Sequence, residues 1–216
     1  MKSTVFNKCD LLFDFYQLAQ ANGLLNCGLD NTIAWFDMFF RPTPDIGGFC
    51  IMSGVQQLTD YINRLSFTED DLSYLYEKGM SQEFIDYLRN FRFSCDIWAV
   101  PEGTPVFANE PVIKVRGPVI QAQLLETIIL LSVNHQSLIA TKTNRIVRSA
   151  AGREIIDFSS RGAHGIGAAL NGARSAYIAG SCATTNMSAS KQFNIPSFAA
   201  MNHTWVQLFE DEYEAF

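Results

Sequence analysis

No Cys-x-x-Cys pair occurs in this sequence. Its five cysteines, Cys9, Cys27, Cys50, Cys95 and Cys182, are odd in number and widely scattered. That argues against a disulfide framework or a zinc ribbon and makes a reducing compartment, the cytoplasm, the expectation. No run of 18 uncharged apolar residues is present, so no membrane-spanning helix is expected. Asp10 and Asp14 interrupt the early apolar residues where a secretory signal core would lie. The P-loop and the Gly-x-Gly-x-x-Gly spacing are both missing, as is any cluster with metal-ligand spacing. Positive charge is also in short supply. The net charge of −6 argues against a general nucleic-acid surface.

The 216 residues are 48% hydrophobic and 18% charged, which excludes a disordered chain, a coiled coil and a collagen-like repeat. A chain of this length can bury roughly 70% of its unfolded surface. One segment departs from the acidic average. Between Lys142 and Lys191 there are seven basic residues against two acids. This fits either a local anion site or a solvated basic face.

Periodicity predicts a helix over 10–22, capped by Asp10 and stopped by Gly23, and an aromatic strand over 32–40. A turn at Asp45-Ile46-Gly47-Gly48 would let 49–52 pair back on that strand. Three short helices follow: 54–65, one opened by Thr68 with Asp71 completing a capping box, and one opened by Ser81. Strands are expected at 95–100, 104–107 and 112–116. Residues 118–150 should form two helices divided near Asn134-His135-Gln136. From Glu154 the order becomes βαβαβα: strands 154–158, 181–184 and 197–201, and helices 166–179, 186–193 and 204–216. Such a run builds a parallel sheet with helices outside it. Three units do not close a barrel, and acids crowd the final helical turns, so the chain reads as the first part of a longer protein.

In parallel α/β folds ligands gather at the carboxyl ends of strands. Two loops stand there, Ser159-Ser160-Arg161-Gly162-Ala163-His164-Gly165 and Asn202-His203-Thr204. Arg161 can hold a carboxylate or phosphate, and His203 can act as acid, base or nucleophile, or serve as a satisfied core histidine. Gly162, Gly165 and Gly167 either cradle a phosphate or simply turn the chain. His135 reads as a packed or surface polar residue, His164 as an exposed loop residue, and the cysteines as core residues.

With these loops in view, the chain resembles the nicotinate phosphoribosyltransferase family. The resemblance is carried by Ile33-Ala34-Trp35-Phe36-Asp37-Met38-Phe39-Phe40-Arg41, by Gly47-Gly48-Phe49 and by Val100-Pro101-Glu102-Gly103-Thr104-Pro105-Val106-Phe107. Gln123-Leu124-Leu125-Glu126-Thr127 and Asn134-His135-Gln136-Ser137-Leu138-Ile139-Ala140-Thr141-Lys142 extend it.

The resemblance implies an α/β fold of the type II phosphoribosyltransferase kind. An α+β N-terminal sandwich domain (1–150) would be followed by the first three βα units of an incomplete α/β barrel (151–216). The implied reaction belongs to NAD salvage: nicotinate and 5-phosphoribosyl 1-pyrophosphate give nicotinate mononucleotide and pyrophosphate. It is coupled to ATP through a phosphohistidine, with Mg²⁺ accompanying the phosphates. The resemblance also implies a cytoplasmic homodimer, with neither nucleic acid nor membrane as partner.

Carried over residue by residue, His203 becomes the phosphoacceptor, with Thr204 beside it in place of a serine. Arg161 becomes the anion clamp. Tyr16, in Asp14-Phe15-Tyr16-Gln17, becomes the aromatic that meets the nicotinate ring across the dimer, although the residues alone favour a core tyrosine. The chain departs from the family pattern at Phe13, Ser159, Gly162, Ala199, Ala200 and Asn202. A substrate hydrogen bond lost with the family's threonine would cost about 0.5–1.5 kcal/mol. These departures also allow a second reading, a shortened non-catalytic copy that binds ligand weakly or associates with an intact homologue.

Overall fold

The computed structural model describes residues 11–43 and 47–216. Cys9, the Asp10 cap and the Asp45-Ile46 half of the expected turn lie outside the described residues.

The first helix, α1, spans Phe15–Asn26. It starts later and ends later than its periodicity suggests. Asp14 is the N-cap, and the Gln17 side chain accepts the Asp14 N–H at 3.1 Å, one half of a capping box. Gly23 does not stop the helix. Leu24 and Leu25 continue its packing, and the chain turns only at Gly28, whose φ of +69° suits a glycine.

Strands β1 (Ile33–Met38), β3 (Asp96–Ala99) and β5 (Ile113–Pro118) form an antiparallel sheet in the order β1-β5-β3. The expected back-pairing of 49–52 on β1 does not occur. Instead β2 (Cys50–Ile51) pairs with β4 (Pro105–Val106). The reason lies in the long helix α6 (Glu126–Ser149), which claims this segment through side chains. Thr141 Oγ1 accepts the Ile51 N–H at 2.8 Å, and Ser137 Oγ accepts the Ser53 N–H at 3.0 Å.

Helices α2 (Val55–Ile62), α3 (Glu69–Glu77) and α4 (Gln82–Arg89) follow the sequence expectation, with Thr68 and Ser81 as caps. The Thr68–Asp71 box closes in both directions, at 2.8 and 3.2 Å. Two cores result. One joins Met38, Ile113 and Val115 of the sheet to Leu58 of α2 and Val133 of α6. The other joins Leu18 of α1 to Leu72, Phe84, Leu88 and Leu124.

Residues 118–150 do form two helices, α5 (Val119–Leu124) and α6, but the division falls at Leu125. The polar stretch at 134–136 stays helical because its neighbours use their polarity inside the fold. Gln136 is buried and donates to Ser132 O, while Ser137 cross-links to both backbone groups of Ser53. By length and composition Val119–Ser149 is apolar enough to cross a membrane, although Glu126 and Lys142 leave no run of 18 uncharged residues in it. In this fold it packs between the sheet and the βα units.

Beyond α6, β6 (Ile156–Asp157) pairs in parallel with β7 (Ala183–Thr184), with α7 (Ile166–Ile178) between them and α8 (Met187–Phe193) after them. The expected strand at 197–201 is only a parallel bridge, Thr184 to Ser197. The expected helix over 204–216 splits into α9 (His203–Gln207) and α10 (Glu212–Ala215). Phe198, Met201, Leu208 and Tyr213 are all at least half exposed, so no packed surface extends these elements.

Candidate functional site

Two loops meet at the carboxyl ends of β6 and β7. Asp157 anchors them. It is buried, and its Oδ1 accepts the Ser159 N–H at 3.2 Å and the Ser159 hydroxyl at 2.6 Å. Its Oδ2 accepts the Thr184 hydroxyl at 2.8 Å. Thr184 Oγ1 in turn accepts the Asn186 N–H at 3.1 Å. Asn186 Nδ2 donates to Ser160 Oγ at 3.0 Å, and Asn186 Oδ1 caps α8 by accepting the Ala189 N–H at 3.1 Å. A carboxylate held by three donors fixes both loops at once.

Between the loops lies a cleft of about 370 Å³ lined by Phe158, Ser160, Arg161, Thr185 and Asn186. Arg161 sits on a 3-10 turn, Ser160–Gly162, with its guanidinium 5.8 Å from the centre of the Phe158 ring. Among the described residues no acidic side chain lines this cleft. It offers one cation, hydroxyls and an amide, a donor set suited to a small anion. Phe158 also borders a mostly apolar groove of about 350 Å³ between α6 and β6, where Lys142 supplies a cation.

Tyr16 lies elsewhere. Its hydroxyl donates to Glu126 Oε2 at 2.9 Å, and Gln17 Nε2 donates to the same oxygen at 3.1 Å. That hydrogen bond to Glu126 is the main cause of a phenol pKa raised above its ordinary value. The ring is about half exposed, so this is no core tyrosine. Glu126 opens α6, whereas Lys142 near β6 lies 16 residues along it, about 24 Å at the helical rise. Within one chain, therefore, Tyr16 and Arg161 do not share a pocket. Glu126 instead borders a cleft of about 440 Å³ beneath the sheet with Phe36, Met38, Arg41, Ile129 and Leu130.

His203 and Thr204 occupy the first two positions of α9, exposed and outside the Arg161 cleft. The parallel bridge at Ser197 sends the chain toward the same end of the sheet as the two cleft loops. Gly165 is the N-cap of α7 at φ +105°, and Gly162 ends the 3-10 turn; neither borders the cleft, and nor does Gly167. His164 is exposed as expected, while His135 sits in α6 with Nε2 buried. Sequence reasoning missed Thr185 and Asn186. The available signal was the carboxyl-end rule itself, which applies to the loop after 181–184 as much as to the two loops selected.

The same fold recurs in solved structures. Human nicotinic acid phosphoribosyltransferase matches at a TM-score of 0.83 and 28% identity, over 91% of this chain and 40% of that one. Nicotinate-nucleotide pyrophosphorylase from Pyrococcus furiosus shares the fold at a TM-score of 0.75 and 19% identity, over all of this chain and 49% of that one. The fold class is thus that of the type II phosphoribosyltransferases.

The family model for the nicotinate phosphoribosyltransferase N-terminal domain matches residues 11–134, and the chain belongs to that family. The Bacillus subtilis nicotinate phosphoribosyltransferase is 41% identical over 205 residues, 94% of this chain and 42% of that protein. The Mycobacterium tuberculosis nicotinate phosphoribosyltransferase pncB2 is 39% identical over 207 residues, 95% of this chain and 44% of that protein. The chain thus spans less than half the length of these relatives.

Proposed function

We propose that this chain supplies the N-terminal half of a nicotinate phosphoribosyltransferase acting in cytoplasmic NAD salvage. In the reaction the ring nitrogen of nicotinate attacks the anomeric carbon of 5-phosphoribosyl 1-pyrophosphate. The carbon–oxygen bond to pyrophosphate breaks, and nicotinate mononucleotide forms. The single observation that carries the reading is the convergence of two strand-end loops on a cleft with an exposed arginine and, among the described residues, no acid.

In this reading Arg161 pairs with an anionic group of the substrate, and the Ser160 hydroxyl and Asn186 amide orient it. Asp157 holds both loops in place before the ligand arrives, which lowers the ordering cost of binding. Tyr16 lies about 24 Å of helix from this region, so it serves the site of a second copy in a homodimer. His203 is the phosphate acceptor of the ATP-coupled cycle, with Thr204 beside it. Among the described residues no three His, Cys, Asp or Glu side chains gather as a cation cage. The implied Mg²⁺ would then be carried chiefly by the substrate phosphates and water.

The test is calorimetric titration of the chain with nicotinate mononucleotide. Replacing Arg161 by alanine should weaken binding about tenfold or more, the worth of one charge-assisted hydrogen bond. Equal affinity in wild type and Arg161→Ala would reject the assignment.

One observation favours the second reading, a non-catalytic copy. The segment 198–204 is exposed and is tied to the sheet only at its start, by the bridge at Ser197 and the Phe198 N–H to Thr184 O, leaving His203 outside the cleft. Incorporation of phosphate from ATP at His203 would exclude that alternative.

A further inference from the structure

Arg174 sits on α7, about 12 Å of helix beyond its first residue. Its two terminal nitrogens grip Glu102 bidentately, Nη1 to Oε1 at 2.9 Å and Nη2 to Oε2 at 2.6 Å. Both side chains are less than one-fifth exposed. Glu102 belongs to the turn between β3 and β4, and its Oε1 also accepts the Gly54 and Val55 N–H groups that open α2, at 2.6 and 3.1 Å. On its other side the Arg174 guanidinium lies 5.8 Å from the centre of the Phe193 ring, the last residue of α8. Phe193 packs in turn on Leu170, Ala173 and Ala189.

One guanidinium thus touches α7, α8 and the start of α2 through its partner. α7 follows the Ser160–Arg161 loop, and α8 follows the Thr185–Asn186 loop. A buried ion pair is weak evidence for stability, since apolar replacements of such pairs are often neutral. A planar fork, however, fixes direction and distance where apolar contact does not. That matters for α7, whose buried residues are Leu170, which packs with Phe193 and Ala189 of α8, and Gly172, Ala173, Ser175 and Ala176, which leave the rest of the buried face smooth. Such a smooth face supplies few ridges to set its register against α6.

We propose that Arg174, held by Glu102, is the positioning residue of the Arg161–Asn186 cleft. It sets α7 and α8 relative to each other, and so fixes the spacing between Ser160–Arg161 and Thr185–Asn186. The proposal rests on the reading of that cleft as an anion site.

The experiment uses the nitrogen-15-labelled chain and inorganic phosphate. Arg174→Lys keeps the charge and loses the fork. It should leave the helical circular dichroism unchanged, shift the amide signals of Ser160, Arg161, Thr185 and Asn186, and weaken phosphate binding about fivefold or more. A folded Arg174→Lys with unshifted cleft amides and wild-type phosphate affinity would overturn the proposal. Should Arg174→Lys fail to fold, the double variant Glu102→Gln with Arg174→Met, which keeps an acceptor for the α2 amides, is read by the same criteria. Failure of both to fold would make the pair purely structural and also overturn the proposal. If the wild-type chain does not bind phosphate, the anion-site reading fails, and the amide shifts still decide whether Arg174 positions the cleft.

Discussion

The first 150 residues and the last 66 use similar local signals with different results. In the first region the apolar stripes of α2, α3, α4 and α6 meet an opposing surface, while Trp35 and Trp98 on the outer face of the sheet stay at least half exposed. Leu58, Leu72, Phe84 and Val133 are at most 2% exposed, and the helices reach the lengths that their caps and periodicity suggest. In the second, α7 and α8 still pack on each other, but after Ser197 the signals are present and the covering surface is not. Leu208 is 78% exposed, Tyr213 94% and Phe216 79%, and the elements around them shorten to a bridge and two short helices. A cap and an apolar pattern nominate an element; burial against a partner sets how long it becomes.

The sharpest break of this comparison comes from paired truncations. Phe84→Ala should cost about 3–5 kcal/mol in urea unfolding, whereas Leu208→Ala should stay within about 0.5 kcal/mol. A cost above about 1 kcal/mol for Leu208→Ala would show a packed surface that the comparison denies.

Glu102 tests the seam between the regions. Burial pushes its carboxyl pKa upward, but the Arg174 fork and the α2 amides outweigh burial and hold it below its usual 4.5. The unfolded chain therefore takes up this proton first as pH falls. The stabilisation is complete above about 4.5 and is lost as pH drops through the lower folded value. Glu102→Gln should lower stability at neutral pH by about 3 kcal/mol, at the low end for a buried pair because both partners keep some exposure. It should also flatten the acid side of the stability profile, which denaturant titrations across pH will read.

The smallest contrast is between two caps. Thr68→Ala, in front of the packed α3, should cost about 1 kcal/mol. Asp211→Ala, whose carboxylate accepts the Glu214 N–H at 2.9 Å in front of the exposed α10, should cost less than about 0.5 kcal/mol. Equal costs would mean that capping is worth the same with or without a packed helix behind it.

The same division explains what was legible in the sequence. The Thr68 and Ser81 caps, the strands at β1, β3 and β5, and the parallel order after Glu154 are local or periodic signals, and they were readable. The division at Leu125, the pairing of β2 with β4 and the continuation of α1 past Gly23 are tertiary decisions. They are made by Thr141, Ser137 and the packing of Leu24 and Leu25, residues whose partners lie far away in sequence or on other elements. Of the residues that line the strand-end cleft, Arg161 was selected from its place after a strand, and Asn186 could have been selected by the same rule. Asp157 was not selected, because a carboxylate inside an apolar strand shows its purpose only when the Thr184 hydroxyl is seen to meet it.

The most direct test of the account is a nitrogen-15 amide map of the chain titrated with nicotinate mononucleotide. The account predicts saturable shifts at Ser160, Arg161, Thr185 and Asn186, with the α1 amides around Tyr16 unmoved in the isolated protomer. Shifts confined to the Phe36–Leu130 cleft, or none at the four loop residues, would contradict it.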